Sequence, residues 1–303
     1  MTGEGGFLIA HISEDGLHRE ESVAEHTKKT VFLCSNKGGR CGLSSLMSLC
    51  GIFHDMGKNK KKFDDYIHAD ENIKRKLRGT VAHASTGARY FFSRYHERSD
   101  YIKYMVEMIS YAVAAHHGLF DCVNIEHTDI FSKKMKEIED YDEACRNAER
   151  DYVNEYEIDY LFKKAENEFN LVWDKIKEPF TRIKSLHLLK YTENAREMLF
   201  DCKFFLLASL QRLIVSILID SDWEATADFM NGIDTLSKQA SFYTKEIFQK
   251  AEKNFGIYMQ KKQQSVHYSR LTDTEKVVFD ARNFNKKLLV NLDYLFRSSY
   301  MSV

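Results

Sequence analysis

Proline is nearly missing from this chain: Pro179 is the only one in 303 residues, and glycine contributes just 14. Few helix breakers and few turn residues argue against a many-stranded fold and predict an all-α architecture. The six cysteines (Cys34, Cys41, Cys50, Cys122, Cys145 and Cys202) form no C-x-x-C pair and no dense framework, which excludes a disulfide scaffold and fits free thiols in a reducing compartment. A net charge of −1 gives no global attraction for polyanions, so any such binding must be local. The amino terminus shows no basic segment followed by a long apolar run. The most apolar stretch, 204–219, is broken by Gln211 and Arg212. The expectation is a cytoplasmic protein with no membrane partner.

What is present is helical periodicity that repeatedly delivers histidine. Val23, His26, Thr27, Thr30, Val31 and Cys34 share one stripe, so His26 points inward. Leu43, Leu46, Met47, Cys50, Phe53 and His54 recur at steps of three and four, with Gly57 as the expected terminator. A third pattern runs from Val81 to Tyr95 with His83 in its first turn, and a fourth from Ile102 to Ala115 into His116 and His117. The interleaved charges of 125–200 predict long, solvent-facing helices without chemistry. Phe204–Trp223 is expected to be a central helix covered on most faces, with Asp222 on or beside its buried face.

The kernel is GIFHDMGK, 51–58, where an imidazole and a carboxylate stand adjacent at the end of an apolar helix. Such a pair can share one cation or bridge two, carboxylate as the hard donor and imidazole suiting Zn, Fe, Ni, Co or Mn. Four helices each offer histidine, and each unpartnered burial costs roughly 1–3 kcal/mol, so a common metal cluster relieves them together. Asp222 calls for the same explanation, while Asp220 reads equally as a supporting or a surface residue. His11, His18, His68, His96, His127 and His267 are read as ordinary core or helix-end histidines. Lys60, Lys61 and Lys62 read as a solvated loop, and Lys58 stands apart because a glycine fixes it three residues beyond Asp55.

The ordered set H, HDxGK, H, HH, D resembles the HD superfamily of metal-dependent phosphohydrolases. Within it, the texts AHISEDG, VAEHT, GIFHDMGKNKKKF, VAHASTGARYF, AAHHGL and LIDSDWEAT are similar to the HD nuclease domain of the type I CRISPR effector helicase-nuclease. The likeness covers about the first 230 residues. It implies an HD-domain helical bundle over 1–235, with 236–303 a helical extension or a linker toward an absent helicase. No G-x-x-x-x-G-K-[ST] phosphate loop occurs, since KGGRCGLSS lacks the lysine.

Carried over residue by residue, the resemblance implies one metal held by His26, His54, Asp55 and Asp222, and a second by Asp55, His83, His116 and His117. Asp55 bridges, and Lys58 lies beside the scissile phosphate. The implied cofactors are one or two divalent ions (Mn, Fe, Ni, Co or Mg). The implied partners are single-stranded DNA, a CRISPR helicase and an RNA-guided surveillance complex. Lys60 to Lys62 are expected to track the DNA backbone. An HD-family nucleotide phosphatase or cyclic nucleotide phosphodiesterase shares every ligand and is the alternative. A non-catalytic helical adaptor with a closed structural metal site is a third reading.

Overall fold

The computed structural model describes residues 7–13, 16–77, 83–98, 101–124, 126–136, 138–185 and 193–238, with isolated positions beyond them. The chain separates into two compact units, Met1–Ser237 and Lys238–Val303. The first is described below; the proposed extension over 236–303 lies almost entirely outside the described residues.

The fold is an all-α bundle. The described residues contain ten α-helices and a single antiparallel hairpin of strands β1 (Ile9–Ile12) and β2 (Glu20–Ser22). The hairpin, which apolar periodicity does not register, feeds directly into α1 (Val23–Gly39). A reciprocal cap fixes that junction: the Glu25 amide donates to Ser22 Oγ (3.2 Å) and the Ser22 amide to Glu25 Oε2 (3.0 Å). Two orphan amides are satisfied at once, so the helix start, and His26 one turn later, is set locally.

At the centre lies α2 (Ser44–Phe53), in which every residue from Ser45 onward is buried. Leu43 precedes it without a capping side chain. The first amides are satisfied from a distance instead: Ser45 and Leu46 donate to the two oxygens of Glu168, at 2.8 and 2.9 Å. A carboxylate there meets both the orphan donors and the positive end of the helix dipole. Glu168 belongs to α9 (Ile158–Ser185), whose inner stripe of Phe162, Ala165, Phe169, Trp173 and Ile176 is buried. The expectation of solvent-facing helices across 125–200 is therefore corrected. The charges of α9 occupy one face, while its other face builds the core and anchors the helix that carries the His-Asp pair.

Beyond α2 a short 3-10 turn, Met56–Lys58, leads through α3 (Lys61–Ile67) and α4 (Glu71–Leu77) to α5 (Ala84–Tyr95) and α6 (Ile102–Ala115). Gly57 does not end a helix, as its position suggested. A Cβ there would stand 2.1 Å from the His83 carbonyl oxygen, so Gly57 lets the turn touch the start of α5. Gly87 does the same one turn along α5, where a Cβ would lie 1.8 Å from the Phe53 carbonyl oxygen. These two approaches press His83 against the segment bearing His54 and Asp55.

After α7 (Ile130–Lys136) and α8 (Tyr141–Asp151), the unit closes with α10, which spans Glu193–Met230. Its stretch Phe204–Met230 is by length and composition apolar enough to cross a membrane. The expectation that it is covered on most faces is corrected too. Leu207, Leu210, Ile214, Val215, Leu218 and Ala225 are buried, whereas Phe205 and Trp223 are 71% and 70% exposed. Among the described residues it packs against α1, α2, α6 and α9. Asp222 and Ser221 lie on or beside its buried side.

Candidate metal centre

Two of the histidines are set by the same local device. His54 and His116 each follow the last residue of a helix, α2 and α6, in helical conformation. There His54 Nδ1 meets the Gly51 carbonyl at 2.8 Å, and His116 Nδ1 the Val113 carbonyl at 2.7 Å. A carbonyl only accepts, so Nδ1 carries the proton in both rings and a neutral ring turns the lone pair of Nε2 inward.

Those lone pairs converge on carboxylates. His26 Nε2 lies 3.0 Å from Asp222 Oδ1, 3.2 Å from His54 Nε2 and 3.5 Å from Asp55 Oδ2. His54 Nε2 is 3.3 Å from Asp55 Oδ2 and 3.7 Å from Asp222 Oδ1. Donors held about 2.0–2.2 Å from one ion stand roughly 3–3.6 Å apart, close to these separations, and all four ligand atoms lie within 4.8 Å of one another. All four residues are buried.

The other oxygen of Asp55 faces a second group. Asp55 Oδ1 is 3.5 Å from His116 Nε2 and 3.7 Å from His83 Nε2, and His83 Nε2 is 2.6 Å from His117 Nε2. Asp55 Oδ1 and His116 Nε2 are buried and make no hydrogen bond within the protein, whereas Asp55 Oδ2 is met by the Lys58 ammonium at 2.7 Å. Orphaned atoms of this kind, acceptor facing acceptor, fit a cation between them and fit little else. The two groups differ in access: His117 is exposed and His83 half-buried, so this side opens to solvent while the His26 side is closed. Buried His and Asp side chains thus stand close enough to hold a metal ion, and all seven sequence-predicted ligands are brought together.

Electrostatics follow the same division. Burial pulls His54 down, but Asp55 and then Asp222 outweigh it and hold the ring up to about 10. His26 is raised as well, burial being outweighed by its contacts with Asp222 and Glu21. Asp55 and Asp222 lie well below the usual carboxylate range; burial opposes this, but Lys58 and His54 around Asp55, and His26 and His54 around Asp222, prevail. The closed group therefore demands positive charge. On the open side burial pushes His83 down to about 3 and, with His116, His117 down to about 4, leaving neutral imidazoles able to ligate.

Lys58 is buried, its Nζ 2.7 Å from Asp55 Oδ2 and 3.4 Å from His11 Nε2. The rest of the basic run departs from expectation at Lys60. Lys60 is buried with Nζ 3.4 Å from the Glu139 carbonyl, Lys61 pairs with Asp65 at 2.7 Å, and Lys62 pairs with Glu139. Glu139, before α8, meets Lys60 and Lys62, and Asp65 within α3 meets Lys61; Lys61 and Lys62 remain exposed as a solvated run would be, and Lys60 is the one of the three that is buried. Asp220 pairs with Lys37 at 2.6 Å and ties α10 to α1.

Sequence reasoning passed over two residues. His11 stands edge-on to His26 with ring centroids 4.6 Å apart, and Glu21, 1% exposed, has Oε2 3.3 Å from His26 Nδ1. Both sit on the hairpin, as cross-strand partners. His18 and His127 occupy left-handed turn positions, His68 and His96 end helices at the surface, and His267 lies outside the described residues.

No protein-family model matches this chain, and no curated protein matches it at a significant level.

Proposed function

We propose that the protein is a metal-dependent phosphohydrolase of the HD type, acting as a CRISPR-associated nuclease on single-stranded DNA. One observation carries the reading: the two oxygens of a single buried carboxylate, Asp55, face two separate imidazole-containing groups, one closed and one open. His26, His54, Asp55 and Asp222 would hold one divalent ion, and Asp55, His83, His116 and His117 a second. Bound, such ions supply activation of water and neutralisation of phosphate charge.

The protein's own residues do the rest. Asp55 fixes the separation of the two sites, and His54 and His116 are held by their Nδ1 bonds in the tautomer that presents Nε2. His83 and His117 line the side from which a phosphodiester enters. Lys58 places a buried ammonium beside the bridging carboxylate, where it can meet a developing phosphate charge. The narrower assignment, with a helicase and an RNA-guided complex as partners in the cytoplasm, is supported by the local texts quoted above. An open group at the entry favours catalysis over a purely structural metal.

The experiment is cleavage of end-labelled single-stranded DNA by metal-stripped protein supplied with Mn, Fe, Co, Ni, Mg or Zn. Duplex DNA and cyclic nucleotides serve as competing substrates. Metal-dependent cutting of single strands of any sequence, with duplex cut far less, is expected. Turnover of cyclic nucleotides without strand cutting would move the protein to the nucleotide phosphodiesterase reading.

A further inference from the structure

His11, Glu21 and His26 form a third cluster whose potential ligand atoms lie within 4.8 Å of one another. Its chemistry excludes a third metal whenever the first is held. A neutral imidazole has one lone pair, and His26 commits Nε2 to the group containing His54, Asp55 and Asp222. Nδ1 then carries the proton and has nothing to offer a cation. What it faces is Glu21 Oε2 at 3.3 Å, and neither atom has another partner.

We infer that Glu21 is the positioning residue of the closed site: its carboxylate accepts from the Nδ1–H of His26, fixes the ring's tautomer and rotation, and strengthens Nε2 as a ligand. This rests on the metal-site reading above. Three further observations support it. Glu21 is nearly inaccessible, so its charge cannot be serving the surface. Its other oxygen is held by Lys29 Nζ at 2.6 Å, which leaves Oε2 directed at the ring. The hairpin supplies the other restraint as well, since His11, opposite Glu21 across the strands, packs against the His26 ring and accepts from Lys58. His54 and His116 have carbonyl acceptors on Nδ1 from their own helices. His26 lies inside a helix whose nearby carbonyls are occupied, so its acceptor must come from another element, and β2 brings it.

The test is a Co2+ titration of the metal-stripped full chain, followed by calorimetry and by the visible d–d bands. Thermal melts of the metal-free form and ring nitrogen shifts of His26 are recorded on the same samples. Glu21→Gln is expected to weaken binding at the closed site by about 10–100-fold while the open group keeps its affinity. Lys29→Met, at a half-buried position, gives the opposite sign: with its counter-ion gone, Glu21 acts more fully on His26 and Co2+ binds more tightly. Glu21→Gln at parental affinity would overturn the inference. So would equal weakening of both groups with a lowered metal-free melting temperature, the pattern of a merely structural residue. If Glu21→Gln does not fold, unchanged Co2+ affinity in Lys29→Met overturns it. A parental protein that binds no Co2+ would instead sink the metal-site reading itself.

Discussion

At the scale of single residues, the site depends on which atom of each side chain is free. Asp55 gives one oxygen to each group, while the Lys58 ammonium pairs with Oδ2, the oxygen that faces His26 and His54. Since Lys58 is not a ligand of the proposed ions, Lys58→Ala should retain both metals. Loss of a buried electrostatic stabiliser costs about 2–4 kcal/mol, so single-turnover cleavage at saturating DNA should slow by roughly 10²–10³. Cleavage at the parental rate with metal in place would remove Lys58 from the chemistry. Residue types alone do not separate functional from bland histidines. His68 and His96 direct Nδ1 at carbonyls of their own helices, much as His54 and His116 do, yet they face solvent. Only convergence from four helices distinguishes the ligands, and periodicity made that convergence legible for His26, His54, His83, His116 and His117. Glu21 and His11 were not legible because a three- or four-residue strand carries too little pattern.

At the scale of elements, the two glycines are as informative as the ligands. Both the G of HDMGK and the G of HASTG allow backbone-to-backbone approach between α5 and the end of α2. Gly87→Ala must move α5 away from the Phe53 carbonyl, and overpacking of this kind costs about 1–3 kcal/mol. His83 rides on that helix start, so the variant is expected to weaken metal binding at the open group more than at the closed one. A melting temperature and Co2+ profile matching the parental protein would contradict the packing argument. The boundaries of α6 were legible in full, because an unbroken apolar stripe runs straight into His116. Those of α10 were not, since it continues past both ends of its apolar core, and its exposed Phe205 and Trp223 break the link between hydropathy and burial.

At the scale of the whole molecule, the titrating groups set a pH window for the metal-free protein. His83 and His117 titrate near 3 and 4 when folded, below the unfolded value of about 6.5. The unfolded chain therefore binds more protons in that interval, and stability falls as pH drops below about 6.5. Asp55 and Asp222, held low, add stability above the ordinary carboxylate range that is also lost on acidification. His54, held up to about 10, contributes fully below about 6.5 and loses its contribution as pH rises through 10. Thermal melts with chelator should thus show a maximum near neutrality. Saturating metal should flatten the alkaline limb, because coordinated His54 is already neutral, and at 100 times Kd it should add about 2.7 kcal/mol. Metal-free stability that climbs steadily to pH 10 would contradict the assignment of His54.

The central claim, that Asp55 joins two metal groups into one hydrolytic site, is tested most directly by counting bound metal against cleavage. Metal-stripped protein is titrated with Mn2+, and bound ions per chain and the rate of single-stranded DNA cleavage are measured at each step, for the parental protein and for Asp55→Ala. The parental chain should bind two ions and gain activity as they bind, and Asp55→Ala should lose both ions and the activity while its helical circular dichroism persists. Undiminished cleavage by Asp55→Ala, or by protein holding no metal, would contradict the account.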